Sequence, residues 1–311
     1  MLAVKDLEIT FSEKNSIFKA VRKVSFSVQA GEILGIVGES GSGKSMTALA
    51  LTGLLPPEAK VCGSMSFAGK TMHFEDNSQW QGLRGSKIGI VFQDPAACLN
   101  PLKTVGKQVA EPLILHKGLT PKEAEVETIR LFSALGIEPA VQRIHHYPHQ
   151  LSGGQQQRVM LAAAIACKPM LLIADEPTTA LDVTVQAQIL RLLHEYVHNH
   201  SAALLLISHD LGVIAQLADE VLVMCGGTIV EKGSVYQIMQ KPLHPYTKLL
   251  LASLPRLDAP LKLPLVANEG LTAEGGCVFA ARCPHYRAIC LEKEPPTKLL
   301  AEGRQTACHI L

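Results

Sequence analysis

The sequence predicts an α/β fold in which a mainly parallel β-sheet is covered by helices on both faces. A glycine-rich loop at 38–45 stands between an apolar run and an alanine- and leucine-rich run, which is the order strand, loop, helix. Between 155 and 218, short apolar runs alternate with longer helical patterns, as expected for a parallel sheet with helical connections. Hydrophobic residues make up 47% of the 311 residues, which is enough for a sizeable core.

The first half of the chain is predicted to be β-rich and then helical. From about 95 to 150 prolines punctuate helical patterns, and Thr120, Pro121 and Glu123 form the signature of a helix start. We therefore expect a helical subdomain, inserted at about 95–165. The elements predicted before it are strands at 2–9, 23–28 and 33–37, a helix at 46–55, a hairpin at 63–72 and a buried strand at 86–94.

The second half returns to the alternation of strands and helices. From about 235 the composition shifts to proline-punctuated segments, and four of the eight cysteines follow residue 276, so we expect a C-terminal extension. The elements predicted before it are a helix at 155–169, a strand at 170–175, a helix at 185–200, a strand at 202–210, a helix at 211–218 and two strands within 220–233.

Charge and hydropathy narrow the classes of function. The formal net charge is +1, which gives no indication of a nucleic-acid partner. No apolar run reaches the roughly 18–20 residues that cross a bilayer, and the first ten residues lack the hydrophobic stretch of a signal peptide. We expect a cytosolic protein with reduced cysteines, whose membrane contact is made through partner subunits.

The loop GESGSGKS matches the phosphate-binding pattern G-x-x-x-x-G-K-[ST]. Its glycines allow a tight turn, and successive backbone N–H groups can then point at an anion. Lys44 supplies a positive charge for the β- and γ-phosphates, and the Ser45 hydroxyl can bind Mg²⁺. The predicted nucleotide-binding residues here are Gly38, Glu39, Ser40, Gly41, Ser42, Gly43, Lys44, Ser45 and Met46.

Two later motifs carry further chemistry. The strand MLLIAD ends at Asp175, which is placed to hold Mg²⁺, and the adjacent Glu176 can act as a base towards the water that attacks the γ-phosphate. The segment LSGGQ at 151–155 precedes a helix and is either a second anion site or an ordinary helix start with Ser152 as its N-cap. The residues alone do not decide between these two interpretations.

The order of GESGSGKS, Gln93, LSGGQ, LLIADE, ALD and His209 resembles the nucleotide-binding subunit of an ATP-binding cassette (ABC) transporter over residues 1–235. The resemblance implies ATP and Mg²⁺ as cofactors and a P-loop ABC-type fold with an antiparallel β part. It implies that Gln93 senses Mg²⁺ and the γ-phosphate, and that His209 contacts the γ-phosphate. An aromatic residue near the N-terminus would stack on adenine, and Phe11 is the candidate with Phe18 as the alternative.

The same resemblance implies two cassettes packed head to tail, with each ATP lying between the phosphate loop of one and the signature of the other. Lys44, Glu176 and His209 are then the catalytic residues, and Ser45, Gln93 and Asp175 hold Mg²⁺. We expect a competent ATPase. The residues that contact ATP across the dimer are Ser152, Gly153, Gly154, Gln155 and Asp182.

The predicted extension at 236–311 resembles one subfamily of ABC transporter ATPases. His244-Pro245-Tyr246 and the segment CVFAARCP resemble the ATPases of oligopeptide, dipeptide and nickel importers. This implies an ATPase for the import of short peptides, located peripherally on the cytoplasmic face of the cell membrane. Nickel or a metal chelate remains an alternative cargo. The implied partners are a related second ATPase, two transmembrane permeases and an extracytoplasmic solute-binding protein, with no nucleic acid.

The late cysteines are a separate feature. In some members of that subfamily four such cysteines hold a 4Fe–4S cluster, and the resemblance implies the same here. Zinc and free thiols remain alternatives, because the spacing is wider than that of common metal motifs. The cysteines concerned are Cys277, Cys283, Cys290 and Cys308.

Two other classes of protein compete with the importer ATPase. A soluble ABC protein acting on nucleic acid or the ribosome usually carries a tandem cassette, a coiled coil or a basic arm, whereas this chain has one phosphate loop and a near-neutral charge. A regulatory, non-catalytic cassette would lack key residues, but Lys44, Glu176 and His209 are all present.

Overall fold

The computed structural model describes residues 1–13, 16–179, 181–254 and 275–311. Ala180 of the ALD segment and residues 255–274 of the predicted extension lie outside the described residues. The chain forms two compact units. The first comprises residue 1, 28–32 and 75–206, and the second comprises 2–27, 33–74 and 207–311.

The strands and helices are numbered in chain order. Those of the first half are β1 (Leu2–Glu13), β2 (Ser16–Val28), β3 (Ile33–Val37), α1 (Lys44–Ala50), β4 (Ala59–Phe67), β5 (Lys70–Met72), α2 (Asn77–Gln81), β6 (Ile88–Val91), α3 (Pro95–Cys98), α4 (Val105–Lys117), α5 (Pro121–Ala134), α6 (Ala140–Arg143) and α7 (Gly153–Ile165). Those of the second half are β7 (Leu171–Asp175), α8 (Val183–His200), β8 (Ala203–Ser208), α9 (Leu211–Leu217), β9 (Glu220–Cys225), β10 (Thr228–Ser234), α10 (Val235–Gln240), α11 (Pro245–Ala252), α12 (Ala288–Glu292), β11 (Thr297–Leu299) and β12 (Gln305–Ala307).

The second unit contains an antiparallel sheet of strand order β2-β1-β4-β5. In it β1 pairs with β4, with Leu2 opposite Phe67 and a shift in register between Lys5 and Glu8. Gly63 lies at this irregularity with φ +111°, and a Cβ there would come within 2.6 Å of a backbone oxygen. The same unit contains the neighbouring strands β11-β12-β10-β9-β3, of which β3 and β9 are parallel and the other pairs antiparallel.

The first unit combines parallel strands with a helical part. β6 and β7 are parallel, with Ile88 opposite Leu171, and every residue of β7 is buried. The helices α4 and α5 share a small core around Ala110, Leu113 and Ala124. No helix in the described part of the chain combines the length and the apolar character that crossing a bilayer requires.

The structure confirms most predicted elements and corrects several of their boundaries: for example, the strands predicted at 2–9 and 23–28 are longer, as β1 and β2, and the helix predicted at 155–169 ends at 165. The capped start at Thr120 is confirmed, because its side chain and that of Glu123 form a reciprocal capping box. The helix predicted at 46–55 ends at 50, where Gly53 adopts φ +62° and the Leu54 N–H returns to an earlier carbonyl. The strand predicted at 86–94 ends at Val91, so Gln93 lies just beyond it.

Candidate functional site

The phosphate loop connects β3 to α1 in the second unit. A Cβ on Gly38 would lie 2.2 Å from the Met224 backbone oxygen, and one on Gly43 would lie 2.6 Å from that of Ala20. Gly43 also has φ +100° as the residue before α1. Close packing against neighbouring backbone therefore requires glycine at both positions and fixes the path of the loop.

Lys44 lies inside this loop. Its side chain is buried, and Nζ donates hydrogen bonds to the backbone oxygens of Gly38 at 2.7 Å and Glu39 at 2.9 Å. The ammonium is thus held against the loop backbone, next to the groups expected to cradle phosphate. Of the other predicted loop residues, Ser42 is buried, Glu39 and Met46 are half-buried, and Ser40, Gly41 and Ser45 are exposed.

The start of the loop is also held by the C-terminal part of the second unit. The Glu39 backbone N–H donates to Tyr246 Oη at 2.8 Å. The Glu39 carboxylate accepts two hydrogen bonds from the Arg282 guanidinium, at 2.5 Å and 2.7 Å. Sequence reasoning singled out the motifs that contain Tyr246 and Arg282 but did not connect either residue to the phosphate loop.

The two predicted acids lie at the end of β7 in the first unit. Asp175 is the last residue of the strand and is buried, and Glu176 follows with φ +50°, an unfavourable conformation for a residue with a side chain. Gln93 Nε2 donates to Glu176 Oε2 at 3.0 Å, and Thr179 Oγ1 donates to the same oxygen at 2.9 Å. The structure therefore brings Gln93 and Glu176 together and adds Thr179 to the site. The position of this threonine, three residues after Glu176 in the sequence DEPTT, could have indicated the contact.

The LSGGQ segment forms a capped helix start in the first unit. Ser152 Oγ accepts from the Gln155 N–H at 3.4 Å, and Gln155 Oε1 accepts from the Ser152 N–H at 3.1 Å. Ser152 and Gly153 are exposed, which leaves this end of α7 accessible for a further contact.

The start of α8 is close to this segment. A Cβ on Gly154 would lie 2.9 Å from Val185 Cγ1. Asp182 is the N-cap of α8 and accepts from the Val185 N–H at 2.9 Å. The residues predicted to contact ATP across a dimer are therefore grouped on two adjacent helix starts.

Three predicted residues belong to the second unit. His209 follows β8 directly and is exposed, and the next residue, Asp210, caps α9. Phe11 is half-buried in β1 opposite Ala59, whereas the Phe18 side chain on β2 is 55% exposed. The choice of the aromatic residue that stacks on adenine stays a prediction.

The four late cysteines are all buried in the second unit. The Cys277 N–H donates to the Cys290 carbonyl at 2.7 Å. Burial raises the pKa of Cys277; the Phe279 backbone N–H opposes this shift, and the neighbouring Cys290, Cys308 and Cys283 add to it. Within the described residues, however, no group of three or more histidine, cysteine, aspartate or glutamate side chains is arranged to hold a metal ion. The predicted 4Fe–4S cluster is therefore not supported by this geometry.

Two family models match the chain. The model described as "ABC transporter" matches residues 21–179, and the model described as "Oligopeptide/dipeptide transporter, C-terminal region" matches residues 230–290. The oligopeptide transport ATP-binding protein OppD of Salmonella typhimurium is 45% identical over 99% of this chain and 93% of its own length. The dipeptide transport ATP-binding protein DppD of Bacillus subtilis is 43% identical over 100% of this chain and 94% of its own.

Solved structures are similar as well. A dimeric ATP-binding cassette bound to ADP and phosphate matches with a TM-score of 0.69 and 29% identity, over 76% of this chain and 99% of that one. The cassette cbiO1 of Clostridium perfringens, part of the transporter complex cbiONQ, matches with a TM-score of 0.64 and 26% identity, over 77% of this chain and 90% of that one.

Proposed function

Since the chain belongs to the ABC transporter family, we propose that it is the subunit that hydrolyses ATP to drive the import of short peptides across the cytoplasmic membrane. The observation that carries the proposal is similarity over the whole chain, including 230–290, to proteins named for oligopeptide and dipeptide transport. The alternative cargo, nickel or a metal chelate, has no support from these names. The remaining alternatives, a nucleic-acid or ribosome protein and a regulatory cassette, are also not favoured by them.

The proposed chemistry assigns a role to each predicted residue. Lys44 offsets the charge of the β- and γ-phosphates, and His209 contacts the γ-phosphate. Mg²⁺ supplies further charge neutralisation, and its proposed ligands, Ser45, Gln93 and Asp175, offer the hydroxyl, amide and carboxylate oxygens that this ion prefers.

Glu176 accepts the proton of the attacking water in this proposal. Gln93 and Thr179 both donate to its Oε2, so they orient the carboxylate before substrate arrives. Phosphoryl transfer depends mainly on positioning and charge, and an oriented base supplies part of that positioning.

Association with a second cassette completes the proposed site. The exposed Ser152 and Gly153 would contact ATP held by the opposing subunit, together with Gly154, Gln155 and Asp182. The solved structure of a related cassette is a dimer bound to ADP and phosphate, which supports this arrangement. We propose a related, non-identical ATPase as the second subunit.

The permease partners have a candidate docking site in the first unit. A groove of about 720 Å³ is lined by residues of α4 and α5 and by the segments at 103–104 and 144–145. Ile114 and Leu115 lie at this groove with side chains 41% and 73% exposed. We propose that a cytoplasmic segment of a permease occupies the groove and so holds the ATPase on the cytoplasmic face of the membrane. A solute-binding protein on the other side would deliver the peptide.

The described cysteine side chains are not arranged as a metal site, so our proposal that they hold an iron–sulfur cluster, with zinc as the competing metal, requires the four thiols to move closer together on binding. Four thiols are a suitable donor set for either one. The raised pKa values of Cys277 and Cys283 mean that metal binding must displace protons, so the affinity would increase with pH.

The substitution Glu176→Gln tests the proposed function. We expect the variant to bind ATP and form a stable dimer with the second ATPase, with hydrolysis reduced by about 100-fold or more because the base is lost. Uptake of a labelled dipeptide or tripeptide into vesicles that contain the permeases should stop. Glu195→Gln, which removes an exposed carboxylate from α8, is the matched control.

Two outcomes would contradict the proposal. Steady hydrolysis by the Glu176→Gln variant would exclude Glu176 as the base. ATP-dependent uptake of nickel by wild-type vesicles, with no uptake of peptide, would replace the proposed cargo with the alternative.

A further inference from the structure

Described residues of the C-terminal extension contact Glu39 in the phosphate loop. Tyr246 Oη accepts a hydrogen bond from the Glu39 backbone N–H at 2.8 Å. Arg282 Nη1 and Nη2 donate to the two Glu39 carboxylate oxygens at 2.5 Å and 2.7 Å. All three residues belong to the second unit. A bidentate pair of this kind is both stronger and more directional than a single hydrogen bond.

Tyr246 and Arg282 are themselves held in place. Tyr246 is fully buried, and its ring packs edge-on against Phe279 with 5.3 Å between the ring centres. The guanidinium carbon of Arg282 lies 5.6 Å from the centre of the same Phe279 ring. The two groups that contact Glu39 therefore share one aromatic support.

The negative charge of Glu39 opposes the binding of anions by the phosphate loop. The hydrogen bonds and charge of Arg282, and then the charge of Lys44, hold the pKa of Glu39 below its ordinary value, so the carboxylate is ionised at neutral pH. An ionised carboxylate at this position repels phosphate and attracts the Lys44 ammonium that phosphate needs. Arg282 offsets that charge.

We propose that Arg282 is a positioning residue for ATP binding, which neutralises Glu39 so that the charge of Lys44 remains available to the phosphates. Tyr246 acts with it by fixing the backbone at Glu39. The extension thereby sets the nucleotide affinity of the phosphate loop, whether or not the cysteines hold a metal.

Nucleotide binding by the full chain tests this inference. In Arg282→Ala we expect the Kd for ATP, measured by calorimetry, and the KM of the ATPase to rise about three- to tenfold, with kcat changed by less than about twofold. Adding Glu39→Gln to that variant removes the uncompensated charge and should recover most of the affinity. Arg287→Ala, an exposed arginine of the same segment, is the matched control.

The double variant distinguishes neutralisation from simple support. If Arg282 only stabilised the fold of the extension, the double variant would bind ATP as weakly as Arg282→Ala alone. That result would overturn the inference. An unchanged Kd in a folded Arg282→Ala protein would overturn it as well. Should Arg282→Ala fail to fold, Arg282→Gln, which keeps a hydrogen-bond donor but removes the charge, is the second variant; we expect its Kd for ATP to rise about three- to tenfold, and an unchanged Kd would overturn the inference. Absence of ATP binding by the wild-type chain would instead contradict the family's activity.

Discussion

Glu231 on β10 is a fully buried carboxylate that organises the residues around it. It accepts hydrogen bonds from the backbone N–H groups of Leu243 and His244, each at 2.9 Å. Arg304 donates to it at 2.6 Å and also contacts the Lys241 carbonyl. The two N–H groups just before the first turn of α11 thus satisfy the buried carboxylate, whereas Arg304 Nε is buried without a hydrogen-bond partner among the described residues.

His244, beside this pair, gives the protein a predictable sensitivity to acid. Burial lowers its pKa from 6.5 to about 4, with the charge of Glu231 opposing the shift and that of Lys248 adding to it. Between pH 6.5 and about pH 4 the unfolded chain therefore binds a proton at this residue that the folded chain does not. The free energy of unfolding should fall by about 2 kcal/mol from this group between pH 7.5 and pH 5.

Urea unfolding of wild type and His244→Asn at these two pH values measures the effect. Asparagine can keep the acceptor that caps α11, where His244 Nδ1 now accepts from the Tyr246 N–H, but it does not titrate. The variant should lose about 2 kcal/mol less stability than wild type on acidification. The exposed His198→Asn is the control, and equal losses in wild type and His244→Asn would contradict the assignment.

At the level of residues, the sequence predicts what depends on local order and misses what depends on distant contacts. Lys44 and Glu176 were predictable because short motifs place them after strands. The pairing of Arg282 with Glu39 joins positions 243 residues apart, and that of Tyr246 with Glu39 spans 207 residues. No local pattern contains that information.

At the scale of single elements, α4 is the helix that carries the proposed contact with a permease. Its inner face contributes Val105, Val109 and Leu113 to the interior. Ile114 and Leu115 follow on the exposed side, next to the groove. Exposed apolar side chains around a groove are typical of a surface that binds another protein.

The substitution Ile114→Glu should therefore uncouple the ATPase from its permeases. Placing a charge in the contact should reduce permease-dependent stimulation of hydrolysis by about tenfold or more, while hydrolysis by the chain and its second ATPase without permeases stays within about twofold of wild type. Stimulation is measured with purified permeases in lipid vesicles. Val126→Glu on α5, which replaces another exposed apolar residue outside this groove, is the control.

Full stimulation of the Ile114→Glu variant would place the contact elsewhere. An equal loss of hydrolysis when permeases are absent would show that Ile114 acts on the ATPase itself and not on docking, and would also contradict the proposal.

Element boundaries were predictable where side chains mark them. The Thr120–Glu123 pair identifies the start of α5 because both side chains bond to the backbone there. The end of α1 was missed because its alanine- and leucine-rich pattern continues past residue 50, whereas Gly53 and the following prolines allow the chain to turn away. Apolar composition does not indicate where a helix stops.

For the whole molecule, the cysteines provide the clearest test of the extension. We expect protein purified without oxygen to contain about four iron atoms and to absorb broadly in the visible range. Cys283→Ser should lower the iron content and the thermal midpoint, because a metal centre contributes to the stability of the fold around it. Cys62→Ser, at an exposed position on β4, is the control.

Elemental analysis decides between the possible metals. Stoichiometric zinc without iron would overturn the iron–sulfur assignment in favour of zinc. Protein with neither metal, and with unchanged stability in Cys283→Ser, would leave four buried thiols and overturn the proposal of a metal centre.

The ABC fold could be predicted from the order of motifs, because each motif implies a strand, a loop and a helix in sequence. The packing of the described residues 275–311 could not, since their elements are as short as the three residues of β11 and β12 and have no strong period. Its place follows from long-range pairs such as Arg304 with Glu231, which only the folded chain brings together.

That last pair also limits how such chains can diverge. A variant that lost the segment containing Arg304 would leave the Glu231 carboxylate buried without its counterion. An unpaired buried charge is strongly destabilising. Relatives that lack the segment with Arg304 should therefore carry a neutral residue at the position of Glu231.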